Sequence, residues 1–224
     1  MSARKKAIFT WGRMNPPTLG HKHLISETIK KGKELGADPF VAISHSFNIK
    51  KNPLNQNQKA ALIRQMFPNQ SLGILYTSYP YPNEKGPTEM ANKLKEMGYD
   101  EVYFIVGSDY DPTETKGYGY SWVKGVKPII PGVPRGNLKT GISATKVRDA
   151  ALRGNRITMS QMINNRININ ALMAAIVKGM TPKTARKPTA RQSPSPIKSP
   201  NNNSTALKRT RSSPRKSNNS ASPK

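Results

Sequence analysis

The stretch that decides the fold is residues 6–21, KAIFTWGRMNPPTLGH, which leads into an amphipathic helical pattern that stops at Gly36. Residues 6–11 form a short apolar run typical of a buried strand, and the helical pattern covers residues 21–35. The turn between them has two prolines, which fix φ, and Gly20, where backbone can approach a ligand closely. The stretch therefore predicts a strand, a rigid turn and a helix.

The same alternation continues over the first 180 residues. Strict alternation of strand and helix predicts an α/β fold, a Rossmann-like doubly wound parallel sheet of about five strands with both faces covered. Ligands of such sheets bind beyond the carboxyl ends of the strands, so the segments after strands one, two and four should line a site. The further predicted strands lie in 40–44, 72–78, 102–107 and 126–130, and the further helices in 56–67, 88–97, 144–154 and 169–180.

Composition excludes several classes of protein. The 224 residues include 37 Lys and Arg, 12 Asp and Glu, no cysteine and three histidines, and the formal net charge is +25. Without Cys there is no disulfide framework, thiolate metal site or cysteine nucleophile. No apolar run is long enough to cross a bilayer, and the basic start lacks the apolar region and cleavage site of a signal peptide. We expect an intracellular, cytoplasmic protein with no membrane partner.

The C-terminal segment differs from the rest. Asp149 is the last acidic residue, and residues 181–224 hold 11 Lys and Arg with no acidic and no aromatic residue. This Ser-, Pro- and Asn-rich segment buries too little apolar surface to offset the entropy of ordering. We therefore expect one domain over residues 1–180, followed by a disordered basic tail.

The tail is predicted to bind nucleic acid, to be phosphorylated and to direct nuclear import. The alternative is that it only aids solubility. Lys and Arg without aromatic residues predict salt-sensitive, non-specific binding to the phosphates of nucleic acid. Its Ser-Pro sites are candidates for phosphorylation, which would cancel charge and release that contact. KRTR, at 208–211, is a candidate nuclear import patch.

The turn after the first strand is the first candidate site. The helix that opens near His21 presents free N–H groups and a positive dipole end, which suit a phosphate. Thr18 and His21 stand at that end, so a hydroxyl and an imidazole can converge on one anion. GRMNPPTLGH (12–21) resembles the G-x-F-x-P-x-[HT]-x-G-H signature of the HxGH nucleotidylyltransferases. That family includes the nicotinamide-mononucleotide and phosphopantetheine adenylyltransferases and several cytidylyltransferases. The alternative is an ordinary βα turn with a helix-capping histidine.

A second motif lies just beyond the last predicted strand. ISATKVR (142–148) resembles the family's I-S-S-T-x-x-R segment, with Ala in place of its second Ser. Ser143 is a candidate N-cap, and Thr145 and Arg148 fall on one helical face. Hydroxyls, helix N-terminal amides and a guanidinium can bind the β- and γ-phosphates of a nucleotide. By itself the segment is only a capped basic helix, but two such motifs in the family's order favour the functional interpretation.

The loop after the second strand, SHSFNIKKNPL (44–54), is the candidate binding segment for an anionic co-substrate. It carries His45, Lys50 and Lys51, and its N-P-L resembles the N-P-[FL] loop of some nicotinamide-mononucleotide adenylyltransferases. The alternative is a solvated basic loop. His23 points away from His21 on the helix and is less suited to a site than His45.

Segments after the fourth strand match the nucleoside side of the family's site. Gly107 and Asp109 resemble the family's G-x-D, whose Gly backbone and Asp bind the ribose. Trp122 lies in a Gly- and Tyr-rich loop and would either stack on a base or cover the sheet edge. Arg13 occupies a position that archaeal members also fill with Arg, which implies a contact to the terminal phosphate.

The resemblance implies a single reaction, in which a phosphate-bearing acceptor attacks the α-phosphorus of a nucleoside triphosphate and pyrophosphate leaves. The nucleophile is already anionic, so no general base is needed, and catalysis reduces to positioning and charge stabilisation with Mg²⁺ bridging phosphates. We expect ATP and nicotinamide mononucleotide. The alternatives are a CTP-dependent cytidylyltransferase acting on a phospho-alcohol, or a nucleic-acid-binding protein on an inactive fold. The implied residues are catalytic His21, Thr18 and Arg148; nucleotide-binding Gly12, Arg13, Gly20, Gly107, Asp109, Ile142, Ser143 and Thr145; and substrate-binding His45, Lys50, Lys51, Asn52 and Trp122.

Overall fold

The computed structural model describes residues 4–79, 85–105, 126–129 and 142–182, and all of these lie within one unit, Met1–Lys183. The predicted tail lies outside the described residues from 183 onward and stays a prediction. In the described ranges the strands are β1 (Lys6–Gly12), β2 (Asp38–Ile43), β3 (Gly73–Tyr76), β4 (Glu101–Ile105) and β5 (Val126–Ile129). The helices are α1 (Leu19–Leu35), α2 (Gln56–Met66), α3 (Lys85–Glu96), α4 (Ala144–Leu152), α5 (Arg156–Ser160) and α6 (Ile169–Met180).

The strands form one sheet in the order β3-β2-β1-β4-β5, and every neighbouring pair is parallel. The predicted parallel α/β sheet is therefore confirmed. The chain runs outward from β1 to β3 and then returns to place β4 on the other side of β1. Such a reversal opens a crevice at the carboxyl ends of the two strands beside it, which is where α/β sheets bind ligands. The carboxyl end of β1 leads directly into the turn that holds the first motif.

Alternate side chains of the strands bury against helices on opposite faces. Phe9 and Trp11 of β1 pack in one apolar cluster with Met90 and Leu94 of α3. On the other face, residues of α1 and α2 pack against β2, among them Ile25, Ile29, Ile63, Val41 and Ile43. Each such side chain contributes about 1.5–3 kcal/mol on full burial. Coverage of both faces explains why the strands are almost continuously apolar.

A third apolar cluster joins α4, α5 and α6 to the edge of the domain that carries the predicted motifs. Val147, Met159 and Ile176 come from these three helices, and Leu54 and Met66 bring the loop after β2 and the end of α2 into the same cluster. Sequence periodicity predicted α4 and α6 but not the five-residue α5. The cluster fixes α4 against the rest of the fold, so its side chains reach the turn after β1.

Local capping determines the helix ends. α1 ends at Gly36, whose φ of 60° is the left-handed conformation that a glycine adopts without strain. α1 begins two residues before the predicted start, because Thr18 is already its N-cap. None of the helices described here has the length and apolar character that crossing a membrane requires.

Candidate active site

Packing holds the turn after β1 in an unusual conformation. Met14 has a φ of 46°, and the Asn15–Pro16 peptide bond is cis. A left-handed conformation costs a non-glycine residue about 1–2 kcal/mol. The Met14 side chain is almost fully buried in the cluster that includes Ile25 and Ile43, and this burial offsets that cost. The turn is thereby fixed as it enters α1.

Thr18 and His21 lie next to each other at the first turn of α1, and their predicted convergence on one anion stays a prediction. The N–H of Thr18 donates to Nδ1 of His21 at 3.1 Å, and Oγ1 of Thr18 lies 2.8 Å from the same nitrogen. Because a backbone N–H can only donate, we assign Nδ1 as the acceptor and place the ring proton on Nε2. In this tautomer the Nε2–H of His21 can donate to an anion. The N–H of Leu19 donates to the carbonyl of Met162 at 2.9 Å, which anchors the start of α1.

The second motif meets the first through Arg148. Its Nη1 donates to the backbone oxygen of Asn15 at 2.7 Å, across 133 residues of sequence, and its Nη2 donates to Oγ1 of Thr145 at 2.9 Å. Ser143 is the N-cap of α4 and accepts from the N–H of Lys146 at 3.1 Å. The predicted cap and the shared helical face are thus confirmed. Arg148 is only 5% exposed, so it is built into the wall of the site.

Asn15 links this wall to the loop after β2. Its Nδ2 donates to the carbonyl of Leu54 at 2.8 Å, and the N–H of Leu54 donates to its Oδ1 at 3.1 Å. The buried carboxamide thus pairs with the Leu54 backbone much as a neighbouring strand would. The sequence places Asn15 within the first motif but predicts no role for its side chain. Its partners lie too far along the chain for spacing to reveal them.

Lys59 belongs to the surroundings of the candidate site, although it was not predicted from the sequence. It lies on α2 and is fully buried, and its Nζ donates to the carbonyls of Ser44 at 2.7 Å and Ser46 at 3.3 Å. Burial, with a contribution from the charge of Arg13, lowers the pKa of Lys59 from 10.5 to about 8. In the sequence Lys59 is in register with the buried Ile63 and Met66 of α2, which was a signal for its burial, but a lysine is usually expected to be solvated.

Three cationic side chains concentrate positive charge around the carboxyl end of β1. Arg13 lowers the pKa of Lys59, and it also lowers the pKa of Arg148, although burial is the larger cause in both cases. Asp149 acts on Arg148 in the opposite direction. In the described part of the chain no carboxylate forms an ion pair with Lys59 or Arg148. A cluster of like charges is stabilised when an anion enters it, and a triphosphate carries the complementary charge.

The loop after β2 projects its lysines from a closed turn. Asn48 and Asn52 exchange backbone hydrogen bonds at 2.9 and 3.0 Å, and Oδ1 of Asn48 accepts from the N–H groups of Lys50 and Lys51. Both lysines are exposed, and so is His45. Asn52 is buried, and its Oδ1 has no hydrogen-bond partner within the described residues. Among the described residues, no hydrogen bond or ion pair joins Lys50 or Lys51 to the first or second motif.

The other predicted residues fall into two groups. Gly12 is the last residue of β1, Gly20 is the second residue of α1, and Ile142 directly precedes the cap of α4; all three are half-buried. Gly107, Asp109 and Trp122 lie outside the described residues. Their predicted contacts with ribose and base stay predictions.

A family model described as cytidylyltransferase-like matches residues 9–150, more than half of the chain and a range that contains both motifs. The chain belongs to the cytidylyltransferase-like family. This confirms the resemblance to the nucleotidylyltransferases that the motifs indicated, and the protein is accordingly a nucleotidyltransferase of this family. No curated protein matches the chain. Among solved structures, it is similar to the Plasmodium falciparum nicotinic acid mononucleotide adenylyltransferase complexed with APC. The two share 15% identity at a TM-score of 0.48, over 78% of this chain and 96% of that chain.

Proposed function

We propose that this protein transfers an adenylyl group from ATP to nicotinamide mononucleotide and releases pyrophosphate. The observation that carries the proposal is the hydrogen bond from Arg148 to the backbone of Asn15. It joins the segment suited to the β- and γ-phosphates to the turn that holds Thr18 and His21. A single nucleotide can therefore meet both motifs at once.

The reaction needs positioning and charge stabilisation more than proton transfer. An oxygen of the acceptor phosphate attacks the α-phosphorus and forms the new P–O bond. The bond from the α-phosphorus to the bridging oxygen breaks, and pyrophosphate carries away the electron pair. In our proposal the Nε2–H of His21 donates to an α-phosphate oxygen, and Arg13 and Arg148 balance the charge on the leaving group. One such preorganised donor contributes about 3–4 kcal/mol to the transition state.

In our proposal Mg²⁺ binds together with the nucleotide, through the phosphates of the substrate. The described residues contain no group of three or more His, Cys, Asp or Glu side chains placed to hold a metal ion. Mg²⁺ commonly keeps several waters and binds through substrate phosphates, so it needs no protein cage here. When bound, it would neutralise phosphate charge. The orientation of the triphosphate would remain the task of the side chains around the turn.

The N-P-L segment in the loop after β2 supports nicotinamide mononucleotide as the acceptor. Lys50 and Lys51 stand exposed on the turn closed by Asn48 and Asn52, where an acceptor phosphate can reach them. The second candidate is CTP-dependent transfer to a phospho-alcohol, which the description of the matching family favours. The two candidates share the triphosphate site and differ in the base and the acceptor.

Pyrophosphate release from the purified full-length chain tests the proposal. ATP and CTP are each combined with nicotinamide mononucleotide, glycerol 3-phosphate or phosphocholine in the presence of Mg²⁺. We expect release with ATP and nicotinamide mononucleotide, and its loss in His21→Ala. Release only with CTP and a phospho-alcohol would favour the second candidate. If no pair is turned over while the chain binds DNA, the protein is a nucleic-acid-binding member on an inactive fold.

A further inference from the structure

The loop after β2, residues 44–54, is held at both of its ends by buried polar side chains. At its start, Nζ of Lys59 binds the carbonyls of Ser44 and Ser46. At its end, the carboxamide of Asn15 pairs with both backbone groups of Leu54. The Nδ2 of Asn15 also lies 3.4 Å from the carbonyl of Ser46, so the two anchors share one acceptor. The middle of the loop, by contrast, is exposed.

Stability alone does not account for a lysine at this position. Lys59 is fully buried, and no carboxylate in the described part of the chain pairs with its ammonium. A buried charge costs free energy unless it is compensated, and apolar residues of similar volume are often equally or more stable at such sites. The ammonium differs from an apolar side chain in one respect that matters here. It donates to two carbonyls at once while adding positive charge close to Arg13.

We propose that Lys59 is a positioning residue that holds the loop after β2 in the conformation that receives the acceptor phosphate. This inference rests on the function proposed above. His45 lies between the two carbonyls that Lys59 binds, and Lys50 and Lys51 follow on the closed turn. With the start of the loop fixed by Lys59, the exposed side chains of His45, Lys50 and Lys51 are held in one arrangement. A displacement of about 1 Å in a positioning group can cost a hundredfold in rate.

Lys59→Met tests the inference, because the unbranched methionine side chain replaces lysine as far as Cε and removes the ammonium with its donors and charge. Lys6→Met is the matched control. Lys6 is half-buried, and its Nζ contacts the carbonyl of Leu35 at 3.4 Å, at the opposite end of β1 from the site. We expect Lys59→Met to raise KM for nicotinamide mononucleotide about tenfold or more, and to raise KM for ATP by a clearly smaller factor through the loss of one positive charge near Arg13. Lys59→Arg, which keeps charge and donors, should recover part of the loss. Lys6→Met should change neither constant.

Amide hydrogen exchange measures the position of the loop without any turnover. In Lys59→Met, peptides covering residues 44–54 should exchange about tenfold or more faster, while peptides from β1 and α1 keep their wild-type rates. Lys59→Gln is prepared in parallel. It replaces Lys59→Met in the exchange experiment if circular dichroism shows that the methionine variant does not fold. Unchanged exchange in a folded variant would overturn the inference. Faster exchange with an unchanged acceptor KM would overturn the acceptor role of the loop.

The two measurements separate this inference from the proposed function. A wild-type chain that releases no pyrophosphate from any substrate pair contradicts the proposed function, and the acceptor role of Lys59 falls with it. The exchange rates of residues 44–54 still decide whether Lys59 anchors the loop.

Discussion

The buried ammonium of Lys59 should give the protein a pH dependence of stability that its variants lack. Lys59 has a pKa of about 8 in the folded chain, against 10.5 for an ordinary lysine. Between those values the unfolded chain binds more protons than the folded chain. Raising the pH through this window therefore stabilises the fold, and below about pH 8 the full cost of burying the charge is present.

The size of this effect follows from the two pKa values. Each pKa unit corresponds to about 1.4 kcal/mol, so the charged lysine costs about 3 kcal/mol at neutral pH. Most of this cost is removed between pH 7 and pH 10, over which the free energy of unfolding should rise by about 2.5 kcal/mol relative to a variant without the lysine. The pKa of Tyr99 is raised to about 12 by burial and its hydrogen bond to Asp38. Tyr99 contributes equally to the free energy of unfolding of the wild type and of the variant without Lys59, so its contribution cancels when the two are subtracted.

Urea unfolding of the wild type, Lys59→Met and Lys6→Met, followed by circular dichroism from about pH 7 to about pH 10, measures the difference. The free energy of unfolding of the wild type should rise relative to Lys59→Met, while Lys6→Met should follow the wild type. Parallel curves for the wild type and Lys59→Met across this range would refute the reasoning, because they would mean that Lys59 titrates alike in the folded and unfolded chains.

Three further predictions concern the site and its supports. His21→Ala should lower kcat on the order of a hundredfold or more while the chain still folds, since it removes one donor to the transition state; near-normal turnover would contradict the role assigned to Nε2. Arg148→Lys should lose about 1–2 kcal/mol of stability, because one ammonium cannot reproduce the planar fork that binds both Asn15 and Thr145; a wild-type urea midpoint would show that this link is dispensable. Gly179→Ala should destabilise the fold by about 1–3 kcal/mol, since a Cβ there would lie too close to the backbone of Pro53, and an unchanged thermal midpoint would exclude that contact.

Much of the fold was predictable because its signals are local. The apolar run at residues 6–11 and the stop at Gly36 predicted β1 and the end of α1, and Ser143 predicted the start of α4. These depend on neighbours within about four residues, which periodicity and capping preferences report directly. α5 was not predicted, because a helix of five residues is too short to show a recognisable periodic pattern of apolar residues.

The residues of the site were predictable from the sequence, but only some of their contacts were. Spacing suggested that Thr18 and His21 stand at the same helix end and that Thr145 shares a face with Arg148, and both pairs are adjacent in the structure. Spacing did not suggest that Arg148 would be buried against the backbone of Asn15. That contact depends on the cluster formed by α4, α5 and α6, whose members meet only in the folded chain.

The sequence by itself determined the alternation of strand and helix, the helix caps and the residue types of the two motifs, because each depends on short-range geometry. Only the tertiary structure decided the strand order, the meeting of the two motifs at Asn15 and the burial of Lys59. A lysine is expected to reach solvent, even when it is in register with the buried residues of a helix. Here the packing of α2 on the sheet places Nζ of Lys59 beside the carbonyls of Ser44 and Ser46. Because it donates to both, the buried lysine anchors the loop after β2.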